Sequence, residues 1–173
     1  YVDLERITEK LCGLSRPGHF RGVATVVTKL FNIVKPDCAF FGQKDAQQAL
    51  VIKRMVDDLN LDLEIIVIPT VREADGLAMS SRNIYLDPEQ RRAALVLYRG
   101  LLKGQEEFRK GERDPAQICR CVTEMIQAEP LAKIDYVEIY SHPDLVTVER
   151  IQGPALLALA VKIGSTRLID NIL

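Results

Sequence analysis

Apolar positions along the chain follow two periods. Val23, Val26, Val27, Leu30, Phe31 and Val34 recur at intervals of 3, 1, 3, 1 and 3, which predicts a helix with one wide apolar stripe. Pro36 and Asp37 stop it. Cys38 to Phe41 is short and wholly apolar, as a buried strand would be. Gly42-Gln43-Lys44-Asp45 turns the chain into a second helical stripe of Ala46, Ala49, Ile52, Val56 and Leu59, ended by Asn60. Leu63 to Ile68 reads as a second buried strand. Strand, loop, helix and strand in that order predict a parallel crossover.

Pro69 to Gly76 is polar and carries both Pro and Gly, so the domain boundary is expected there. Beyond it, Asp87-Pro88-Glu89-Gln90 offers an N-cap Asp, a Pro at the first helical position and a Gln able to close a capping box. Asp114-Pro115-Ala116-Gln117 repeats the device. The first of these helices is expected to carry Ala94, Leu97, Leu101 and Phe108 and to end at Gly111; the second carries Ile118, Val122, Met125 and Ile126. Three strands are expected over Ile134–Tyr140, Ala155–Ile163 and Arg167–Ile172, the last two joined by a hairpin at Gly164-Ser165. The second half therefore reads as α+β, with helices on a small antiparallel sheet.

Composition narrows the class without changing this outline. The 173 residues are 47% hydrophobic and 27% charged, with a net charge of −1, an ordinary globular balance. Neither a nucleic-acid surface nor a polybasic membrane anchor is expected. The longest apolar stretch, Ala155 to Val161, is too short to span a bilayer, and no signal peptide is visible. Cys12, Cys38, Cys119 and Cys121 lack a CxxC spacing, which favours reduced thiols in a cytoplasmic protein over metal or disulfide chemistry. The chain begins at Tyr1 rather than Met, as a piece of a longer protein would.

Three segments carry candidate chemistry. Gly42 to Asp45 follows a strand and opens a helix, where ligands of open parallel sheets bind and free N–H groups meet anions. Gly42 permits close backbone approach, Lys44 can meet a phosphate, and Asp45 can accept from a ribose hydroxyl. Gln48 lies one turn further on the same side. The alternative is an ordinary turn with Asp45 as N-cap and Lys44 solvated. In Met79-Ser80-Ser81-Arg82-Asn83, two hydroxyls and a guanidinium suit phosphate oxygens, although such a run also occurs in solvated loops. Arg16-Pro17-Gly18-His19-Phe20-Arg21-Gly22 is a basic loop before a helix and holds one of two histidines; a plain surface loop is its competing reading. His142, before Pro143, reads as a turn residue.

Together, RPGHFRGV, FFGQKDAQQ and DGLAMSSRNIYL, in that order, resemble the pantoate–β-alanine ligases closely, and the resemblance extends over essentially the whole chain. It implies an α/β fold: a partial Rossmann-like parallel-sheet domain of the nucleotidylyltransferase type over residues 1–70, then a small α+β lid domain over 71–173. It also implies ATP-dependent ligation of pantoate to β-alanine through a pantoyl adenylate, with Mg2+ accompanying ATP and no covalent enzyme intermediate. Lys44 would neutralise phosphate charge, with Gly42 and Asp45 on the nucleotide and ribose. Gln48 would hold pantoate's hydroxyls. Ser80, Ser81 and Arg82 resemble a loop that closes over the triphosphate, Val71 and Met79 contacts to adenine, and Arg16 and His19 substrate-facing residues. No metal ligand is implied among these residues; several pantoate and magnesium contacts are expected in the part of the family's chain that they do not include. A homodimer is implied, with no nucleic-acid or membrane partner.

The family opens with an HxGH-type motif whose histidines bind the phosphates, and that motif does not occur in these residues. The chain taken alone is therefore expected to be an inactive piece or an active one only when complete. A nucleotidylyltransferase or aminoacyl-tRNA synthetase piece is the other reading, and the pI near 6.2 counts against tRNA. Alone, the chain is expected to self-associate or to be partly unfolded in its first 70 residues, while 77–173 folds independently.

Overall fold

A computed structural model describes residues 1–173, and packing divides them into two units, Tyr1–Pro69 and Thr70–Leu173. In the first, a short helix α1 (Cys12–Ser15) precedes α2 (His19–Val34), β1 (Cys38–Gly42), a 3-10 turn (Gln43–Asp45), α3 (Ala46–Asp58) and β2 (Glu64–Ile68). The two strands pair in parallel, from Cys38 opposite Glu64 to Gly42 opposite Ile68, as the strand–helix–strand order predicts. The core comprises Leu4, Phe20, Ala24, Val51, Ile52, Met55 and Val56, with Val23, Val27, Phe31, Phe41 and Ile65 packed against it.

The strands are not buried on both faces, contrary to the reading of their apolar runs. Side chains alternate across a strand. Phe41 and Ile65 meet the core, whereas Phe40 is 63% exposed and Ile68 is also open to solvent. The stripe of α2 splits in the same way: Val23, Val27 and Phe31 pack inward, and Val26, Leu30 and Val34 are exposed. Two strands and two helices supply one apolar layer, which can cover only one side of each element.

The second unit contains a 3-10 turn (Ser81–Tyr85), α4 (Pro88–Ala93), α5 (Val96–Arg109), α6 (Pro115–Gln127), β3 (Ala132–Ser141), β4 (Ala155–Ile163) and β5 (Thr166–Ile172). β4 lies between β3 and β5, antiparallel to both. Asp87 caps α4 through bonds from the Glu89 and Gln90 amides. Asp114 caps α6 through the Ala116 amide. The expected single helix from Asp87 to Gly111 is two. Around Ala94 and Leu95 the ladder tightens to three-residue bonds, Leu95 N–H to Arg92 C=O and Leu97 N–H to Ala94 C=O. Leu97, Leu101, Ile118, Val122 and Ile126 pack with Leu157, Leu159, Val161 and Ile163 of the central strand. Gly104 lets α5 approach that strand: a Cβ there would sit 2.6 Å from Leu157 Cδ2. No helix is long and apolar enough to cross a membrane.

Candidate functional site

The candidate residues form two groups, one in each unit. In the first unit the polar segment sits where β1 gives way to α3. Gly42 has extended backbone (φ −78, ψ 134), so its lack of a side chain is not demanded by conformation. A Cβ there would meet nothing within 4 Å, which leaves space over the backbone at the strand's end. Lys44 and Asp45 occupy the 3-10 turn. Asp45 stands at the N-cap position of α3, but its side chain makes no capping bond. The ordinary capping role is therefore not the one it has. Gln48 lies on the first turn of α3 and is half-buried.

The Arg16–Arg21 loop comes to the same place. His19 is the first residue of α2, and its Nε2 lies 3.2 Å from Arg16 Nη1. Its ring tilts against Phe20 at 5.0 Å. Burial lowers the His19 pKa, the Arg16 charge lowers it further, and the nearby Asp45 carboxylate opposes both. Burial and Arg16 thus favour the neutral imidazole, and Arg16, His19 and Asp45 share one electrostatic neighbourhood at the starts of α2 and α3.

Sequence reasoning singled out Gln48 and missed its neighbour Gln47. Gln47 is only 6% exposed. Its Nε2 donates to the carbonyls of Ile7 (3.0 Å) and Lys10 (2.7 Å), and its Oε1 accepts from the Cys12 amide (3.0 Å). One side chain of α3 thus holds the backbone that leads into the Arg16–His19 loop. Two adjacent glutamines in an apolar stripe offer no sequence signal for which faces inward.

In the second unit Val71 to Met79 forms a tight hairpin-like turn. The Met79 amide donates to Val71 C=O (2.9 Å) and the Glu73 amide to Leu77 C=O (2.8 Å). Val71 and Met79 are thereby set side by side, and both are exposed. Gly76 carries the turn with φ +97, and a Cβ there would strike the Tyr98 ring. Ser80 Oγ accepts from the Arg82 amide (3.2 Å), starting the 3-10 turn that presents Ser81 and Arg82 to solvent.

A second set of charges braces this loop. Arg91 Nη2 reaches Glu73 Oε2 (2.6 Å) and Asp75 Oδ2 (2.8 Å), and Asn83 Nδ2 donates to Glu73 Oε1 (2.8 Å). The Arg91 contact holds both carboxyls below their usual range, and Asn83 adds to the effect at Glu73. Asn83 Oδ1 is buried without a partner. Arg72, beside the candidate Val71, pairs with buried Asp170. No cluster of three or more His, Cys, Asp or Glu could hold a metal ion.

The model of the family described as pantoate-beta-alanine ligase matches residues 1–173. A pantothenate synthetase of Pelotomaculum thermopropionicum is 77% identical over 99% of this chain and 61% of its own length. One of Carboxydothermus hydrogenoformans is 62% identical over 96% of this chain and 59% of its own. The chain thus spans about three-fifths of these relatives. The crystal structure of pantothenate synthetase from Thermus thermophilus superposes with a TM-score of 0.93 at 46% identity, covering 99% of this chain and 62% of that one. A ligase from Francisella tularensis, described as complexed with beta-gamma ATP and beta-alanine, superposes at 0.69 with 33% identity, over 100% of this chain and 57% of its own.

Proposed function

The chain belongs to the pantoate–β-alanine ligase family, and we propose on that premise that it serves ATP-dependent formation of pantothenate from pantoate and β-alanine in the cytoplasm. The observation that carries this reading is the turn from β1 into α3. It joins open space over Gly42, a lysine, an uncapped helix start and the Asp45 carboxylate. Such a turn suits an anionic nucleotide, since free helix N–H groups and a nearby cation both favour phosphate.

In the first step a carboxylate oxygen of pantoate bonds to the α-phosphorus of ATP and pyrophosphate leaves. In the second, the amine nitrogen of β-alanine bonds to the acyl carbon, AMP leaves and the amine loses its proton. Neither step needs an enzyme nucleophile, so the protein's contribution is positioning and charge stabilisation. Lys44 offsets phosphate charge, Asp45 accepts from the ribose, and Gln48 orients pantoate's hydroxyls. Arg16 and His19 line the substrate side. Val71 and Met79 flank the adenine, while Ser80, Ser81 and Arg82 bind the triphosphate.

Mg2+ belongs with ATP in this scheme. As an ion carried on the substrate's phosphates, it is assigned no step and no ligand among these residues. A homodimer, which the family resemblance implies, completes the reading.

Pantoate-dependent exchange of labelled pyrophosphate into ATP, measured in the full-length ligase, tests the proposal. Exchange should require pantoate, proceed without β-alanine, and fall sharply in Lys44→Ala. Exchange that ignores pantoate would overturn it.

A further inference from the structure

We propose that Arg72 is a positioning residue for the Met79–Arg82 loop, acting with Asp170 and Tyr98. Its link to nucleotide binding rests on the function proposed above. Arg72 makes three kinds of contact at once. Its two terminal nitrogens grip Asp170, Nη1 to Oδ2 at 2.6 Å and Nη2 to Oδ1 at 2.9 Å. Nη1 also donates to Gly76 C=O at 3.1 Å. Its guanidinium carbon stands 3.9 Å from the Tyr98 ring centroid.

Each contact fixes a different part of the turn. Asp170 lies in β5, and its side chain is 2% exposed. Its backbone pairs with Leu159 in the central strand, so the anchor is as rigid as the sheet. The bond to Gly76 C=O ties the tip of the turn to its base. Tyr98, on α5, stacks under Arg72 and also closes against Gly76, where no Cβ fits. Arg72 faces Ala78 across the turn, and the outgoing strand continues directly into Met79, Ser80, Ser81 and Arg82. Side chains meant for phosphate oxygens thus depart from a turn referenced to β5 and α5. A bidentate fork with one stacked face is a geometry that lysine cannot reproduce.

Arg72→Lys tests this in two readouts. In the nucleotide-free protein, hydrogen exchange at the Glu73 and Met79 amides, which donate across the turn, should quicken at least tenfold, with β3–β4 and α6 amides unchanged. In the full-length ligase, KM for ATP should rise at least tenfold while KM for β-alanine stays at the parental value. A merely structural role would move both KM values or neither. The double variant Arg72→Met with Asp170→Asn, which leaves no unpaired buried charge, should loosen the same amides without lowering the unfolding midpoint. It decides the matter if the lysine variant does not fold. Parental exchange at Glu73 and Met79 would overturn the proposal, as would loosened amides with unchanged KM for ATP. If the parent shows no pantoate-dependent exchange, the ligase reading fails, and the amide data alone judge the positioning role.

Discussion

Gln47→Ala should release the first dozen residues from α3 while leaving α3 folded. The wild-type amide makes three hydrogen bonds to backbone groups of Ile7, Lys10 and Cys12. Each net bond is worth roughly 0.5–1.5 kcal/mol, so the loss is bounded at about 1.5–4.5 kcal/mol. Water entering the space left by the amide would re-pair some groups, which places the expected cost near ~2 kcal/mol. Because the chain has two units, a global midpoint averages over them. Residue-level amide exchange is the sharper assay. The Cys12 amide, which loses its acceptor, should exchange about 30-fold faster, the equivalent of ~2 kcal/mol. Gln47→Glu adds a sign test. It keeps an acceptor for Cys12 but turns a carboxylate toward two carbonyl oxygens, so its pKa should rise on folding. A raised folded-state pKa means stability present at low pH and lost as pH rises through it. The Glu variant should therefore be tighter at pH 4 than at pH 7. Parental exchange at Cys12 in both variants would refute the clamp.

Four further outcomes follow from separate contacts. Lys44→Ala should raise the barrier to adenylate formation by roughly 2–4 kcal/mol, read as slowed pyrophosphate exchange in the full-length ligase. Gly104→Ala should cost about 1–3 kcal/mol by overpacking, because its Cβ would meet Leu157 at 2.6 Å; urea unfolding measures it. Tyr140 should ionise near pH 12, raised first by burial and then by its bond to Glu138, so ultraviolet titration should show a late step that Tyr140→Phe removes. As a group raised on folding, it lends stability that is lost as pH climbs past the ordinary tyrosine value, near 10. Glu73, lowered by Arg91, works in the opposite sense. Its share of loop stability is present at neutral pH and lost on acidification, and Arg91→Ala, which leaves only the Asn83 bond to lower Glu73, should weaken that pH dependence in the exchange of the Asn83 region.

Local chemistry made some elements legible and long-range pairing hid the rest. The caps at Asp87 and Asp114 are short-range devices: an acceptor, a Pro and one or two amides within four residues. The Asp caps and the Pro positions formed as read, whereas the Gln90 side-chain amide lies beside Gly164 instead of closing a capping box. The hairpin at Gly164 is equally local, and its glycine takes φ +58. The parallel pairing of β1 and β2 was readable because a strand, a helix and a strand leave few alternatives. The degree of burial was not. An apolar run such as Cys38–Phe41 reports that its side chains avoid water, but what covers each face depends on elements elsewhere. Phe40 and Phe41 are indistinguishable as letters, yet one is open and one packed.

The same division separates the candidate contacts from the residues that hold them. Arg16, His19, Gly42, Lys44, Asp45, Ser80 and Arg82 were nameable because each lies in a loop whose composition suits an anion. Gln47, Arg72, Tyr98 and Asp170 were not, since the partners that define their roles lie 26 to 98 residues away and no spacing rule reaches that far. Arg72 shows the consequence most plainly. In the sequence it is one more charge in a polar linker, next to a residue singled out for adenine. In the fold its partner is a carboxylate with a 2% exposed side chain, and a charge so placed is costly unless paired. The pair is therefore better explained by what it orients than by what it adds to stability. What it orients is a loop that turns Ser81 and Arg82 outward. A loop that must meet a polyanion cannot bury apolar side chains to hold its shape. Its rigidity has to be brought from the sheet behind it, and Arg72 is the side chain that spans that gap.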